Sequence, residues 1–425
     1  MGGLKAPPGT LFVYLLWFII LCDPQWWISR YVGTWIRQVP TAMFAVMLLL
    51  LFVKPPKVVF PPLLAFIAYT ILIIPFAFNR GYTFIVVKLL IVYYVLALAT
   101  MANVANAKQA VPIICGALFW QNIWWVVLGA KSGLVKWHPT LANYDGYGPL
   151  MDVSLGSTYY FALATTHKRT RTIAFLTAMG CCVGLVSSYA RGAVLAGGAV
   201  VLWILIRSKR KGVAIASAAA VAIVVIVSGL FFTGSNRGDA NSNFFTEMST
   251  IGSGDGTQQD REVLWALARR VWSEHPVFGV GAENFGPYAA EHFSVGTVGG
   301  AYDENPERLY DKKLHSTYFQ LLCEYGVVGC VIFFWMLYDF AKRNAQLRKK
   351  AAIQRWAEVS GGQLDLTNLS FSVEAGMVGF LASAFFYNQI FNVHWFYTLV
   401  TVNMLLYYLS RPAPAVRRRS VPLPT

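Results

Sequence analysis

The chain has 425 residues, of which 56% are hydrophobic, 15% aromatic and only 13% charged. This leaves too little charge for a water-facing surface and excludes a disordered chain, a fibrous repeat and a secreted disulfide scaffold. The net charge of +15 would suit a nucleic-acid binder, but the lysines and arginines sit in short clusters between apolar runs, which reports membrane topology and no nucleic-acid partner.

A hydrocarbon core about 30 Å thick requires roughly 20 apolar residues per crossing helix. Apolar runs between breakers fall near 8–24, 38–53, 60–78, 83–101, 109–129, 150–166, 172–190, 192–206, 212–233, 316–340, 371–390 and 393–410. The expected fold is an all-α polytopic integral membrane protein with about 12 transmembrane helices. The first run lacks a small-residue cleavage site and reads as a retained signal anchor. Residues 1–233 would hold spans one to nine, 234–314 one large loop domain, 315–410 spans ten to twelve, and 411–425 a basic cytoplasmic tail.

With the N-terminus inside, 21 of the 35 basic residues fall in cytoplasmic segments and six in short outside loops, which places both termini in the cytoplasm. The outside segment Gly234–Leu314 carries 12 of the 20 acidic residues. Within it, QQDREVLWALARRVWSEH (258–275) sets Val263, Leu264, Leu267 and Val271 on one helical stripe, with Asp260 suited to the first turn, and Pro276 ends it. VFGVGAENFGPYAAEHF then reads as a turn and a second short helix.

A charge at membrane depth persists where it lines a cavity or finds a partner. Lys88, Asp152, Glu324 and Glu374 are such charges, and the Lys88 ammonium needs an anion, either a structural partner in Asp152 or Glu324 or a ligand. Arg191, in SSYARGAVLAGG, lies at an outer turn where small residues admit close approach, so its fork could meet a phosphate, or could merely snorkel. Arg261 opens the outside helix, where guanidinium and first-turn amides could hold an anion together; the alternative is an exposed pair with Asp260 or Glu262. His315, directly before the tenth span, could take a proton from a sugar hydroxyl, or could simply cap or pack.

His275, His292 and His394 show no metal-ligand spacing, and the six cysteines are scattered, so neither metal nor cofactor is expected. Gly279, Gly281 and Gly286 follow no strand and do not form a nucleotide loop. The tryptophan pairs Trp26-Trp27 and Trp124-Trp125 read as an interfacial belt.

Three segments, SSYARGAVLA, DREVLWALARRVWSEHPVFGVGAENF and LHSTYFQLLCEYGVVG, resemble the O-antigen ligase and polymerase superfamily of the bacterial envelope over roughly residues 180–335. The resemblance implies a GT-C-like, metal-independent, inverting membrane glycosyltransferase of the inner membrane, its active site facing the periplasm. Its donor would be undecaprenyl-diphosphate-linked O-antigen and its acceptor lipid A-core. It also implies that Arg191 and Arg261 hold the donor diphosphate, with Lys88 as a further basic contact, and that His315 orients or deprotonates the acceptor hydroxyl. The leading expectation is an O-antigen ligase. An O-antigen polymerase and a protein O-oligosaccharyltransferase share the donor, and a lipid-linked-glycan flippase would need the basic residues but not the histidine.

Overall fold

The computed structural model describes residues 7–56, 58–132, 144–208, 211–231, 244–249, 256–293, 302, 305–390 and 394–411. The predicted basic tail beyond Arg411, and loop residues 232–243, 250–255, 294–301 and 303–304, lie outside the described residues. Among the described residues the structure is helical, with one isolated bridge between Thr165 and Leu364.

Helices α1 (Pro8–Cys22) and α2 (Pro24–Val32) each begin on a proline, whose fixed φ and missing N–H suit the first helical position. Next come α3 (Val39–Val53), α4 (Pro61–Ile73) and α5 (Arg80–Asn103), the last capped by the Asn79 side chain, which accepts from the Gly81 N–H at 3.0 Å. The predicted span 109–129 is α6 (Ala107–Cys115) and α7 (Gln121–Ser132) joined through a π-helical turn at Gly116–Trp120. Then follow α8 (Tyr144–Ala164), α9 (Lys168–Ser187), α10 (Arg191–Arg207) and α11 (Lys211–Phe231). The loop region contributes α12 (Phe244–Ser249), α13 (Gly256–Glu274) and α14 (Phe285–His292); the chain closes with α15 (Thr317–Leu347), α16 (Lys350–Ser360), α17 (Leu366–Ser383) and α18 (Trp395–Ser410).

Every predicted span therefore overlaps a helix, although the one expected over 371–390 is helical only to Ser383. Among the described residues, five stretches are long and apolar enough to cross a membrane, namely Thr34–Val53, Arg80–Asn103, Ala107–Gly129, Lys168–Ser187 and Thr317–Leu347. Large apolar side chains such as Phe52, Leu72, Phe76, Leu176, Val331 and Phe334 are exposed on the bundle's outside, which fits lipid and not water as their solvent. The chain is a polytopic membrane protein.

The bundle centre is α8, packed on α9, α10 and α17. Small residues set that spacing: a Cβ on Gly156 would stand 2.7 Å from the Ala375 carbonyl oxygen. At one end of the bundle, Glu374 is shared by Arg207 (3.0 Å), Arg348 and Asn344 (2.8 Å), and Asn344 continues to Ser370 and Asn403. This network ties α10, α15, α17 and α18 together around one carboxylate that two guanidiniums share.

At the other end, α15 is broken. Gly326 has φ 60° and ψ −166° in the middle of an otherwise continuous helix, so the carbonyls before it and the amides after it lose their intrahelical partners. The 276–281 connection between α13 and α14 supplies most of the replacements. Val280 and Gly281 N–H donate to Cys323 and Glu324 O (3.0 and 2.9 Å), and Val327 and Val328 N–H donate to Pro276 and Val277 O (2.9 and 3.3 Å). The Tyr69 hydroxyl donates to Tyr325 O at 2.6 Å. Irregular backbone is thus tolerated at this depth because protein groups satisfy it.

A side chain at position 326 would meet both the left-handed φ and the backbone of Val277, whereas a Cβ on Gly198 in α10 meets nothing. Gly326→Ala should destabilise by at least about 1–3 kcal/mol, read as a lowered apparent Tm in detergent, while Gly198→Ala should leave it unchanged or raise it slightly.

Candidate functional site

The site is built where α15 begins. The helix predicted for 371–390 ends at Ser383, and the chain 384–389 then folds over the first turn of α15 instead of continuing. Thr317 N–H donates to Ala384 O (2.8 Å) and Tyr387 O (3.0 Å), and its hydroxyl donates to Tyr387 O (2.7 Å) and accepts from Gln389 N–H (2.9 Å). Ser316 N–H donates to the Asn388 side-chain oxygen at 2.9 Å. These bonds satisfy amides that a helix N-terminus leaves open.

His315 stands immediately before this clamp, half-buried, with φ 49°. The residue on its other side is also held, because the Trp265 indole donates to Leu314 O at 2.9 Å. A non-glycine residue in the left-handed region costs energy and persists only where its surroundings fix it. Four such residues occur among those described: Asp23, Tyr189, Glu283 and His315. Three of the four belong to this end of the molecule.

Arg191 is the first residue of α10, whose N-terminus carries no side-chain cap, and Tyr189 two residues earlier has φ 51°. A Cβ on the next residue, Gly192, would collide with Phe386 at 2.6 Å, so the start of α10 lies against the 384–389 segment. From the other side Trp265 reaches the same segment, stacking on Phe319 (centroids 5.1 Å) and meeting Phe385 edge-on (5.7 Å). Arg261 lies one helical turn before Trp265 and so shares its face. Its Nε is buried with no hydrogen-bond partner among the described residues.

The structure corrects the reason for Arg261. α13 starts at Gly256, so Arg261 sits in the second turn, away from the first-turn amides expected to help it. Nor does Asp260 cap the first turn; it accepts from Tyr302, and Glu262 accepts from Gln258 at 2.9 Å. The predicted stripe does hold, with Leu264, Leu267 and Val271 buried in a small core with Phe285, Tyr288 and Leu314.

Lys88 needs a second correction. It is exposed on α5 with its ammonium 5.4 Å from the Phe84 ring centroid, and it is not a buried cation paired with Asp152 or Glu324. Asp152 is fully buried, and its carboxylate oxygens have no hydrogen-bond partner among the described residues. His275, just past α13, and His292 of α14 are packing residues: His275 Nε2 is 3.0 Å from the Tyr288 hydroxyl, which donates to Glu274 at 2.9 Å, and His292 stacks on Tyr288 at 4.0 Å. Burial and Glu274 push the Tyr288 hydroxyl up to about 12. His394 Nε2 is 3.5 Å from the Gln121 side-chain oxygen.

Glu283, Asn284 and Asn388 are site residues the sequence reading missed. Glu324, 3% exposed, accepts from the Glu283 N–H (2.9 Å) and the Phe285 N–H (3.2 Å), fixing the turn before α14. Asn284, fully buried, accepts from Asn79 N–H (2.7 Å) and donates to Asn79 O (3.2 Å) and the Thr83 hydroxyl (3.0 Å), which docks that turn on the start of α5. A cavity of about 160 Å³ opens between these parts, lined by Tyr82, Tyr310, Glu283, Glu324, Lys312 and Asn388 among others. The signals in the sequence are faint: a carboxylate two residues after Gly281, and an amide inside an apolar run.

Residues 173–334 match the family model described as O-antigen ligase. The matched stretch runs from α9 into α15 and contains Arg191, Arg261 and His315. No curated protein matches the chain.

Removing the Asn284 amide would leave Asn79 and Thr83 groups unmet inside the protein. Asn284→Ala should speed amide hydrogen exchange across 276–293 and at the start of α5 by roughly tenfold or more, measured by mass spectrometry, with little change around Glu374.

Proposed function

We propose that this chain is an O-antigen ligase. It transfers O-antigen polysaccharide en bloc from undecaprenyl diphosphate to a sugar hydroxyl of lipid A-core. The observation carrying this reading is that the family match contains Arg191, Arg261 and His315, and that the structure draws their three segments onto one short stretch, 384–389. The positive-inside bias supports a periplasmic setting for this end, both termini cytoplasmic, and an inner-membrane location with about twelve spans. A GT-C-like arrangement, with the 234–314 region as the periplasmic loop domain, belongs to the same reading.

In the proposed reaction the acceptor hydroxyl attacks the anomeric carbon of the donor's first sugar, with inversion. A new carbon–oxygen bond forms, the bond to the diphosphate breaks, and undecaprenyl diphosphate leaves with the electron pair. His315 takes the hydroxyl proton, its ring aimed by a backbone held on both sides, at Leu314 and at Ser316. Arg191, at the positive end of α10, and Arg261, with a buried Nε in need of an acceptor, receive the growing negative charge on the diphosphate. Lys88, exposed on α5, meets the lipid-linked donor from the membrane side. No step is assigned to a metal ion.

The test is transfer by purified protein from undecaprenyl-diphosphate O-antigen to lipid A-core in EDTA. Wild type should form lipopolysaccharide. His315→Ala should lose on the order of 10²- to 10⁴-fold in rate, and Arg191→Ala or Arg261→Ala on the order of 10²- to 10³-fold. Longer donor chains or a glycosylated protein in place of lipopolysaccharide would move the assignment to a polymerase or an oligosaccharyltransferase. Donor movement that survives His315→Ala would point to a flippase.

A further inference from the structure

The cavity beside His315 has a chemistry the proposed diphosphate site does not use. It reaches the residue before the histidine, Leu314, and Asn388, which also lines it, accepts from the N–H of the residue after it, Ser316, at 2.9 Å. Its lining mixes the Glu283 and Glu324 carboxylates, the Asn388 amide and the Tyr82 and Tyr310 hydroxyls, which stand 3.4 Å apart. Asp311, Lys312 and Lys313 also line it, and the Lys312 ammonium lies 5.5 Å over the Tyr302 ring. Close by, the Ser316 hydroxyl is fully buried without a hydrogen-bond partner among the described residues. With three carboxylates against two ammoniums, the lining favours no diphosphate and offers both acceptors and donors to hydroxyls, so it suits a neutral polyhydroxylated ring.

The two carboxylates are not equivalent. Both oxygens of Glu324 are occupied by backbone amides, so it serves to hold the turn. One of those amides belongs to Glu283, which sits at φ 56°, a conformation that glycine occupies at the neighbouring positions 279 and 281. A glutamate at 283 therefore costs backbone energy that a glycine would not. Its carboxylate lines the cavity, and Gln320 Nε2 donates to it from 3.3 Å.

We propose that this cavity receives one sugar ring of the acceptor, with Glu283 accepting hydrogen bonds from its hydroxyls and thereby setting which hydroxyl faces His315. The inference rests on the transfer reading above for the word acceptor, and on the cavity alone for the sugar. Glu283 acts here as a positioning and specificity residue, held in place by Glu324.

Glu283→Gly separates function from folding, because it removes the carboxylate while relieving the left-handed strain. Full-length protein in nanodiscs should keep or raise its apparent Tm. Its KM for lipid A-core should rise roughly 10- to 100-fold, with the donor KM changed less than about twofold. Glu283→Gln, which keeps one acceptor oxygen, should lie between. In parallel, core oligosaccharide released from lipid A would be titrated without donor, and the variant should bind it weaker by the same factor. Equal binding by wild type and Glu283→Gly, no binding by wild type, or a rise confined to donor KM would each overturn the proposal. Wild type that binds the oligosaccharide through Glu283 yet makes no lipopolysaccharide would sink the ligase reading and leave the sugar site standing.

Discussion

A helix interrupted inside a membrane protein must have its freed backbone groups met by the protein itself, and that demand at Gly326 organises the functional end of this molecule. The carbonyls of Cys323 and Glu324 and the amides of Val327 and Val328 are all met by the chain between α13 and α14. The loop region is consequently welded to α15 and does not merely rest on the bundle. Phe78 N–H donating to Val280 O, and Asn284 gripping Asn79, carry the same weld on to α5. Glu324 then becomes useful as a buried carboxylate whose partners are the amides of the very turn it shapes.

A second lock lies at the start of α15, where the segment after α17 covers the first turn. Backbone bonds from Ser316 and Thr317 fix its place, and Phe385 and Phe386 then meet α13 and α10. Arg191, Arg261 and His315 come from regions far apart in sequence, and this segment is what their neighbourhoods share. The opposite end of the bundle differs in kind. There Glu374 has Arg207 and Arg348 as partners, and these charges hold helices together.

What the sequence made legible follows from how local each signal is. Apolar runs report helices directly, because burial in lipid is a property of each segment. The stripe Leu264, Leu267, Val271 and the stop at Pro276 were likewise local. The residues before Gln258 have no apolar periodicity to announce a helix from Gly256, so the sequence alone puts Arg261 one turn too early. Hydropathy counts a residue's neighbours in sequence and does not say which face of α5 it occupies, so the exposure of Lys88 is not legible there. Asn388 was hidden inside an apolar run that hydropathy extends to 390, and Glu283 depends on a break at Gly326 that only the packed structure defines.

A family match over residues 173–334 and a geometry that gathers three segments make one central claim, that Arg191 and His315 serve a single reacting centre. A double-mutant cycle in the lipopolysaccharide transfer assay tests it most directly. Groups acting as a unit are non-additive: once one is gone, the other has little left to do. The account predicts that Arg191→Ala combined with His315→Ala transfers within about threefold of the slower single variant. Losses that simply multiply would show two independent contributions and would contradict it.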